Sequence, residues 1–206
     1  QELIDSIKTF VGYEKVTLDD GKILKQDERI MLDFSAIAKG YAVDVIGELL
    51  EKNDCKNYMV EIGGEVVAKG VNKEGRTWRI GINEPNDNEP VTPSKLQAIV
   101  SLKNRALATS GNYRNFYIEN GKKFAHTISP ETGYPVNHSL LSATVMAENC
   151  MIADAYATAF MVLGVEETQK LITTLTDIDV FLIYDDENGE NIVIMTDGFE
   201  KFIYKE

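Results

Sequence analysis

An aspartate and a threonine four positions apart are the residues of this sequence best suited to bind a cation. Asp154 and Thr158 lie in the alanine-rich stretch NCMIADAYATAFMVL, residues 149–163. On a helix, side chains at this spacing share one face, so a carboxylate and a hydroxyl would stand together. Mg²⁺ prefers oxygen ligands and takes few of them from a protein. The residues flanking the aspartate are apolar, which makes an unpaired carboxylate costly there. The alternative is a chance pairing that serves capping or solvation.

A histidine at the start of HTISPETGYPV, residues 126–136, is a candidate for proton transfer. Histidine is the side chain whose ordinary pKa lies closest to neutral pH. His126 is therefore a candidate general base. A structural hydrogen bond is the alternative for a lone histidine. His138, in the following loop, has less in its favour.

Two short segments rich in glycine and hydroxyls are further candidates for binding. In ATSGNYRNFY, residues 108–117, Thr109, Ser110 and Gly111 offer hydroxyls and flexible backbone that could surround a phosphate. The same segment could equally be a simple connection between strands. EIGGE, residues 61–65, lacks the lysine of a P-loop and the third glycine of a dinucleotide fingerprint, and it predicts a tight turn.

Charge and composition narrow the classes of partner. The 206 residues are 44% hydrophobic and 26% charged, which is typical of a globular chain. Acidic residues outnumber basic ones by 33 to 21, and the formal charge of -12 argues against a nucleic-acid partner. A phosphorylated small molecule would need a metal ion or backbone N–H groups to offset its charge.

Cysteines and apolar runs give two further limits. Cys55 and Cys150 are too few and too far apart for a disulfide framework or a zinc cluster. No apolar run reaches the roughly 18 residues needed to span a bilayer. The sequence starts in what reads as the middle of a helix, so we expect an N-terminal portion to precede Gln1, with room for a signal or lipid anchor.

A helix is predicted over residues 33–52, and it is the first of the elements that position the candidate residues. Asp33 or Ser35 is its predicted cap. Gly40 in its interior costs about 1 kcal/mol against alanine, which predicts a close approach by another backbone or by a ligand. The pattern predicts a wide buried stripe formed by two rows of apolar residues: Ile37, Tyr41, Val45 and Leu49, and Ala38, Ala42, Ile46 and Leu50.

The remaining pattern predicts an α+β fold in one unit, residues 1–206. Strands are predicted within 57–83 around a Gly63–Gly64 turn, at 96–102 and at 105–111. Hairpins are predicted around Asn120–Gly121 and over 179–195. Helices are predicted at 149–163, with Asn149 as cap and Gly164 just past the end, and at 165–175.

Taken in order, these segments resemble the ApbE family, the FAD:protein FMN transferases. The resemblance is specific because six blocks run collinearly across most of the chain. The blocks are LDFSAIAKGYAVD at 32–44, VEIGGEVVAKG at 60–70, WRIGINEP at 78–85, ATSGNYRNFY at 108–117, HTISPETGYPV at 126–136 and ADAYATAFMVLG at 153–164.

The resemblance implies a two-lobed α+β fold of mixed sheets and packed helices, with FAD between the lobes. It implies a Mg²⁺ site formed by Asp154, Thr158 and a backbone carbonyl of the AKG segment, which we place at Ala38. The implied reaction is attack by a threonine or serine hydroxyl of an acceptor protein on the FMN-side phosphorus of FAD, which releases AMP. His126 is the implied base. The implied flavin-binding residues are Lys39, Gly40, Thr109, Ser110, Gly111, His126 and Thr127.

The chain departs from the family pattern in two places. Ser129 stands where the family usually has an aspartate, and the N-terminal part of the family pattern is missing. Two other activities stay open: a Mg²⁺-dependent FAD pyrophosphatase that yields FMN and AMP, and a protein that binds FAD without cleaving it. The resemblance also implies an extracytoplasmic location, with membrane attachment only through an anchor outside this sequence.

Overall fold

A six-stranded antiparallel sheet forms the centre of the molecule. The computed structural model describes residues 2–85, 95–112, 116–119, 122–125, 127–186 and 188–205. In chain order the described strands are β1 Val16–Asp19, β2 Lys22–Lys25, β3 Tyr58–Ile62, β4 Glu65–Lys69, β5 Trp78–Asn83, β6 Leu96–Leu102, β7 Arg105–Gly111, β8 Phe116–Glu119, β9 Lys122–Ala125, β10 Leu140–Ala147, β11 Asp179–Asp185 and β12 Asn191–Met195. The central sheet has the order β12-β11-β10-β7-β4-β3, and β1–β2, β5–β6 and β8–β9 form two-stranded sheets.

Helices cover one face of the central sheet, and β5, β6 and a short helix cover the other. The helices are α1 Glu2–Lys8, α2 Ala38–Lys52, α3 Cys150–Ile172 and α4 Asp197–Glu200. Apolar residues of α3 pack on β7, β10 and β11, and Val43 of α2 packs on β3. On the opposite face, Phe199 of α4 and residues of β5 and β6 close a second core. Because both faces are buried, β10 carries an almost unbroken run of buried side chains. No helix in the described ranges has the length and apolar character needed to cross a bilayer.

Several predicted elements are confirmed. The mixture of helices with antiparallel sheets is the predicted α+β class. The turn between β3 and β4 has positive φ at Gly63 (63°) and Gly64 (100°), as glycine allows. In α3, Asn149 accepts a hydrogen bond from the N–H of Ile152, and Gly164 is non-helical at φ 79° and ψ -178°, which separates the two predicted helices by a kink.

The β1–β2 hairpin, β10 and α4 were not predicted. The hairpin of β1 and β2 turns at Asp20 and Gly21, both with positive φ, and this Asp-Gly pair is a recognised hairpin signal. The sequence also gave no prediction for β10, which pairs with both β7 and β11 at the middle of the sheet. A strand buried on both faces lacks the alternation of apolar and polar residues that marks a half-buried one.

The predicted start and buried stripe of α2 were wrong. The helix begins at Ala38 rather than at residue 33, and its cap, Ile37, makes no side-chain capping bond. The Asp33 carboxylate instead accepts bonds from the N–H and hydroxyl of Ser35 in a local turn. Of the predicted stripe, Tyr41 and Leu49 are 58% and 59% exposed. The residues that α2 buries are Gly40, Val43 and Gly47.

The burial of glycines follows from the close approach of α2 to α3. A Cβ atom at Gly40 would lie 2.4 Å from the carbonyl oxygen of Cys150, which is far inside van der Waals contact. The predicted close approach at Gly40 is therefore confirmed, and the neighbour is the backbone of α3. Large side chains cannot occupy this contact, so they lie on the other faces of α2.

Replacing Gly40 with alanine should destabilise the protein by about 1–3 kcal/mol, because the added methyl group forces two backbones apart. This loss should exceed the helix propensity that alanine gains, about 1 kcal/mol. Urea unfolding monitored by circular dichroism measures the difference. Gly47→Ala is the matched control, since its nearest neighbour is the hydroxyl of Tyr58 at 3.2 Å, a side-chain atom that can move. A Gly40→Ala variant as stable as the wild type would contradict the close contact.

Candidate functional site

Asp154 is buried at the contact between α2 and α3. Its side chain is 2% exposed, and its Oδ2 accepts a hydrogen bond of 3.0 Å from the N–H of Gly40. Burial raises the pKa of the Asp154 carboxyl above its ordinary value, while the Gly40 N–H and the charge of Lys39 act in the opposite direction. The site therefore holds a carboxylate whose negative charge is under-compensated by the protein.

Thr158 lies one turn after Asp154 on α3 and faces the same cavity. Its Oγ1 lies 3.2 Å from the Oγ of Ser110, a hydrogen-bond distance at which either hydroxyl can donate. The two residues that the sequence pairs for a cation thus share one helix face and one cavity. Their carboxylate and hydroxyl oxygens are the kind of donors that Mg²⁺ prefers.

The cavity has a volume of about 810 Å³, which is within the range of sites for small molecules and cofactors. It lies between the start of α2, the turn after β3, strand β5, the end of β7 and α3. Among the described residues, its charged lining side chains are three carboxylates and two basic groups. These are Asp33, Glu61, Asp154, Lys39 and Arg79.

Lys39 is held by a carboxylate that the sequence did not single out. Its Nζ lies 2.5 Å from Oε1 of Glu65, which is 1% exposed at the start of β4. Burial raises the pKa of the Glu65 carboxyl, and the bond from Lys39 opposes that rise. Glu65 Oε2 is buried and has no hydrogen-bond partner among the described residues. The sequence showed Glu65 only as the residue after a glycine turn, because burial of a charge leaves no periodic signal.

Arg79, on β5, is the second basic group at the cavity and was also missed. Its guanidinium carbon lies 3.7 Å from the centroid of the Tyr204 ring, which fixes the arginine by a cation–π contact. This contact joins the chain end to β5, a pairing that no local sequence pattern encodes.

Thr109, Ser110 and Gly111 belong to β7, which confirms the strand predicted over 105–111 and excludes a flexible turn at these three residues. They form the end of β7, and each is paired with a residue of β10. The hydroxyl of Thr109 lies 2.9 Å from that of Thr144. All three residues line the cavity, but their backbone is fixed by the sheet. The suggestion of flexible backbone that wraps a ligand is therefore wrong for this segment.

The predicted residues around the histidine segment have different outcomes. Thr127 lines the cavity, and its hydroxyl donates to Oδ1 of Asn112 at 2.9 Å. His126 lies outside the described residues, so its role stays a prediction. His138 accepts from the N–H of Leu140, and its Nε2 lies 2.9 Å from the carbonyl oxygen of Met161, which is a structural role.

Ala38 is the first residue of α2, and its neighbours Ala36 and Lys39 line the cavity. Its own carbonyl remains a predicted ligand. No group of three or more histidine, cysteine or acidic side chains is arranged for a metal within the described ranges.

The fold and this cavity define an α+β protein with an acidic cavity, of a size suited to a small molecule, beside a tightly packed helix pair. The model of the ApbE family matches residues 1–182. The chain belongs to the ApbE family.

Curated relatives and solved structures agree with this membership. The chain is 42% identical over 186 residues to the FAD:protein FMN transferase of Haemophilus influenzae, an alignment that covers 88% of this chain and 53% of that protein. The Vibrio cholerae protein of the same name is 37% identical over 188 residues, covering 91% and 55%. The structure of flavin transferase ApbE from Vibrio cholerae matches with a TM-score of 0.85 at 34% identity, over 98% of this chain and 62% of that one. The chain therefore spans about half the length of the curated relatives it matches.

Replacing Asp154 with asparagine should stabilise the cation-free protein at pH 7. Asparagine keeps an oxygen for the Gly40 N–H but removes the buried charge. We expect a Tm increase of about 2–4 °C, which corresponds to about 1 kcal/mol for a chain of this size. A carboxyl with a raised folded-state pKa binds more protons when folded, so its destabilising effect develops as pH rises above the ordinary value of 3.8 and disappears below it.

Thermal unfolding in EDTA at neutral pH and below pH 3.8 measures this effect. Glu61→Gln is the matched control, because it removes the same charge from an exposed side chain of the cavity lining. If Asp154→Asn lowers the Tm at pH 7, the buried carboxylate is stabilising and this reading of the site is wrong.

Proposed function

We propose that this chain carries the catalytic part of a Mg²⁺-dependent transferase that moves FMN from FAD to a threonine or serine hydroxyl of an acceptor protein. Membership of the ApbE family and the similarity to FAD:protein FMN transferases support this activity. The observation that carries it is the convergence of Asp154, Thr158 and Lys39 on one cavity large enough for part of a dinucleotide. The chain spans about half the length of its relatives, so assigning their activity to this chain is itself part of the proposal.

The charge of the cavity supports a cation-dependent mode of binding. Its described lining holds three carboxylates and two basic side chains, and one of those basic side chains, Lys39, is already paired with Glu65. A diphosphate brings further negative charge to this lining. A divalent cation held by Asp154 would offset the negative charge of the carboxylate and of the diphosphate.

The residues present fit Mg²⁺. Asp154 and Thr158 offer a carboxylate and a hydroxyl on one helix face, and the carbonyl of Ala38 is the third proposed ligand. Bound there, Mg²⁺ would act as a Lewis acid toward the phosphate oxygens and neutralise their charge.

The protein's own groups orient the reaction. Lys39, held by Glu65, presents an ammonium group to the cavity, where it can donate to a phosphate oxygen. The acceptor hydroxyl oxygen forms a bond to the FMN-side phosphorus, and the bond from that phosphorus to the bridging oxygen breaks. AMP leaves with the bridging oxygen, and the hydroxyl proton passes to a base. His126 is the proposed base.

Incubation of the protein with FAD, Mg²⁺ and a folded acceptor domain tests the activity. Transfer predicts stoichiometric AMP and an acceptor heavier by one FMN in intact-mass spectrometry. AMP with free FMN and an unmodified acceptor would instead identify a hydrolase. FAD recovered intact after prolonged incubation with excess Mg²⁺ would leave binding alone and overturn the proposal.

Loss of the carboxylate should abolish the metal-dependent step. We expect Asp154→Ala to reduce AMP release by at least about 100-fold, as for removal of a group that organises transition-state charge. Thr158→Val should reduce it by about 10-fold or more, and Thr158→Ser, which restores the hydroxyl, should recover most of the loss. Initial rates at several Mg²⁺ concentrations measure these effects. Unchanged AMP release by Asp154→Ala would refute the cation assignment.

His126→Ala should lose transfer while it keeps most of its FAD affinity. The expected decrease is about 100-fold, which is typical of a general base. Quenching of flavin fluorescence measures binding, and the pH profile of transfer should lose its acidic limb in the variant. Full transfer activity at neutral pH would exclude the base role.

A further inference from the structure

Helices α2 and α3 each place a carboxylate on the N-terminal N–H groups of the other. Asp44 of α2 accepts bonds from the N–H of Cys150 at 2.8 Å and of Met151 at 2.9 Å, one on each carboxylate oxygen. In return, Asp154 of α3 accepts the bond of 3.0 Å from the N–H of Gly40. We call these three hydrogen bonds the reciprocal clamp. It joins the start of α2 to the first turns of α3.

The reciprocal clamp uses donors that a helix cannot satisfy by itself. The first four N–H groups of an α-helix have no partner within the helix. In α3, Asp44 takes the N–H groups of Cys150 and Met151, and Asn149 Oδ1 takes that of Ile152 at 3.0 Å. The N–H groups of the first three residues of α3 are thus occupied by side chains of the protein. The charge preference of this helix N-terminus is met by Asp44 rather than by a ligand.

The reciprocal clamp also sets a distance that the cation site needs. The proposed ligands come from two helices: Ala38 from α2, and Asp154 with Thr158 from α3. Mg²⁺ requires near-octahedral geometry at about 2.0–2.1 Å, so a small displacement of one helix weakens the site. Gly40 allows the helices to approach, but a glycine contact alone does not fix their register. The charged bonds of Asp44 do, because each of them fails when α3 slides along α2.

We propose that Asp44 is a positioning residue for the cation site and acts through the reciprocal clamp. Asp44 is half-buried and is not among the described residues that line the cavity, so it is outside direct reach of the ligand. It holds the first turn of α3 against the start of α2, and this contact keeps the Asp154 carboxylate on the Gly40 N–H. The proposal rests on the function given above, because it takes Asp154 as a ligand of a divalent cation.

The variant that tests this role is Asp44→Asn. It keeps the side-chain volume and one acceptor oxygen but turns an NH₂ group toward one of the two N–H donors. Mn²⁺ serves as the probe in place of Mg²⁺, and the free ion is counted by electron paramagnetic resonance in the absence of FAD. We expect about 10-fold weaker Mn²⁺ binding. Amide hydrogen exchange should accelerate by about 10-fold or more at Gly40 as well as at Cys150 and Met151.

Two controls separate positioning from stability and from charge. Asn149→Ala removes the other side-chain cap of α3, which has no bond to α2, so it should lower the urea midpoint comparably yet leave Mn²⁺ affinity within about 2-fold. Glu48→Gln removes the same charge one turn along α2 from a largely exposed side chain, and it should leave both Mn²⁺ affinity and Gly40 exchange unchanged. If Asp44→Asn does not fold, Asp44→Glu keeps both oxygens and should show a smaller loss, about 3-fold.

The possible results distinguish the positioning role of Asp44 from the cation site itself. Unchanged Gly40 exchange in the folded Asp44 variant would overturn the positioning role, whatever happens to Mn²⁺ affinity. Equal weakening of Mn²⁺ by Asn149→Ala would also overturn it, since fraying of α3 would then suffice. If the wild type binds Mn²⁺ and the Asp44 variant binds it equally well, only the positioning role falls. If the wild type binds no Mn²⁺, the cation site and the positioning role fall together.

Discussion

Asp154 lies 2% exposed where Gly40 brings the backbones of α2 and α3 close enough for an N–H of one helix to meet a carboxylate of the other at 3.0 Å. A buried carboxylate needs compensation from neighbours, and the protein supplies one N–H and the partial influence of Lys39. The contact leaves no volume for a Cβ at position 40. The close contact between the two helices therefore requires a glycine at position 40. The same contact places the Asp154 carboxylate on the Gly40 N–H.

The other charged groups of the cavity lie around this buried carboxylate. Each basic side chain at the described lining already has a partner: Lys39 contacts Glu65, and Arg79 lies over the ring of Tyr204. These partners fix the positions of the two basic side chains, and the negative charge of Glu65 reduces the net positive charge that Lys39 presents. In a protein with a formal charge of -12, a phosphorylated ligand in such a cavity would need further compensation of its charge, from a metal ion or from backbone N–H groups. In our proposal, a divalent cation supplies it.

Local sequence patterns predicted much of this architecture, whereas contacts between residues far apart in the chain were not predicted. The shared helix face of Asp154 and Thr158 was predicted from their spacing, the kink at Gly164 from the glycine, and the β3–β4 turn from Gly63 and Gly64. The buried face of α2 was predicted wrongly because an apolar stripe was assumed to mark the core, whereas close backbone packing selects glycine and leaves Tyr41 and Leu49 outside. Glu65 and Asp44 were missed because their roles depend on partners 26 and 106 residues away in the chain.

The kink at Gly164 divides α3 into two segments. Asp154 and Thr158 lie before it, and the segment that follows packs through Val165, Leu171 and Ile172 on the same core. The positive φ of Gly164 changes the direction of the chain between the two segments. The direction of the segment that carries Asp154 and Thr158 is therefore set by its own contacts with α2 and the sheet rather than by the last turns of the longest helix.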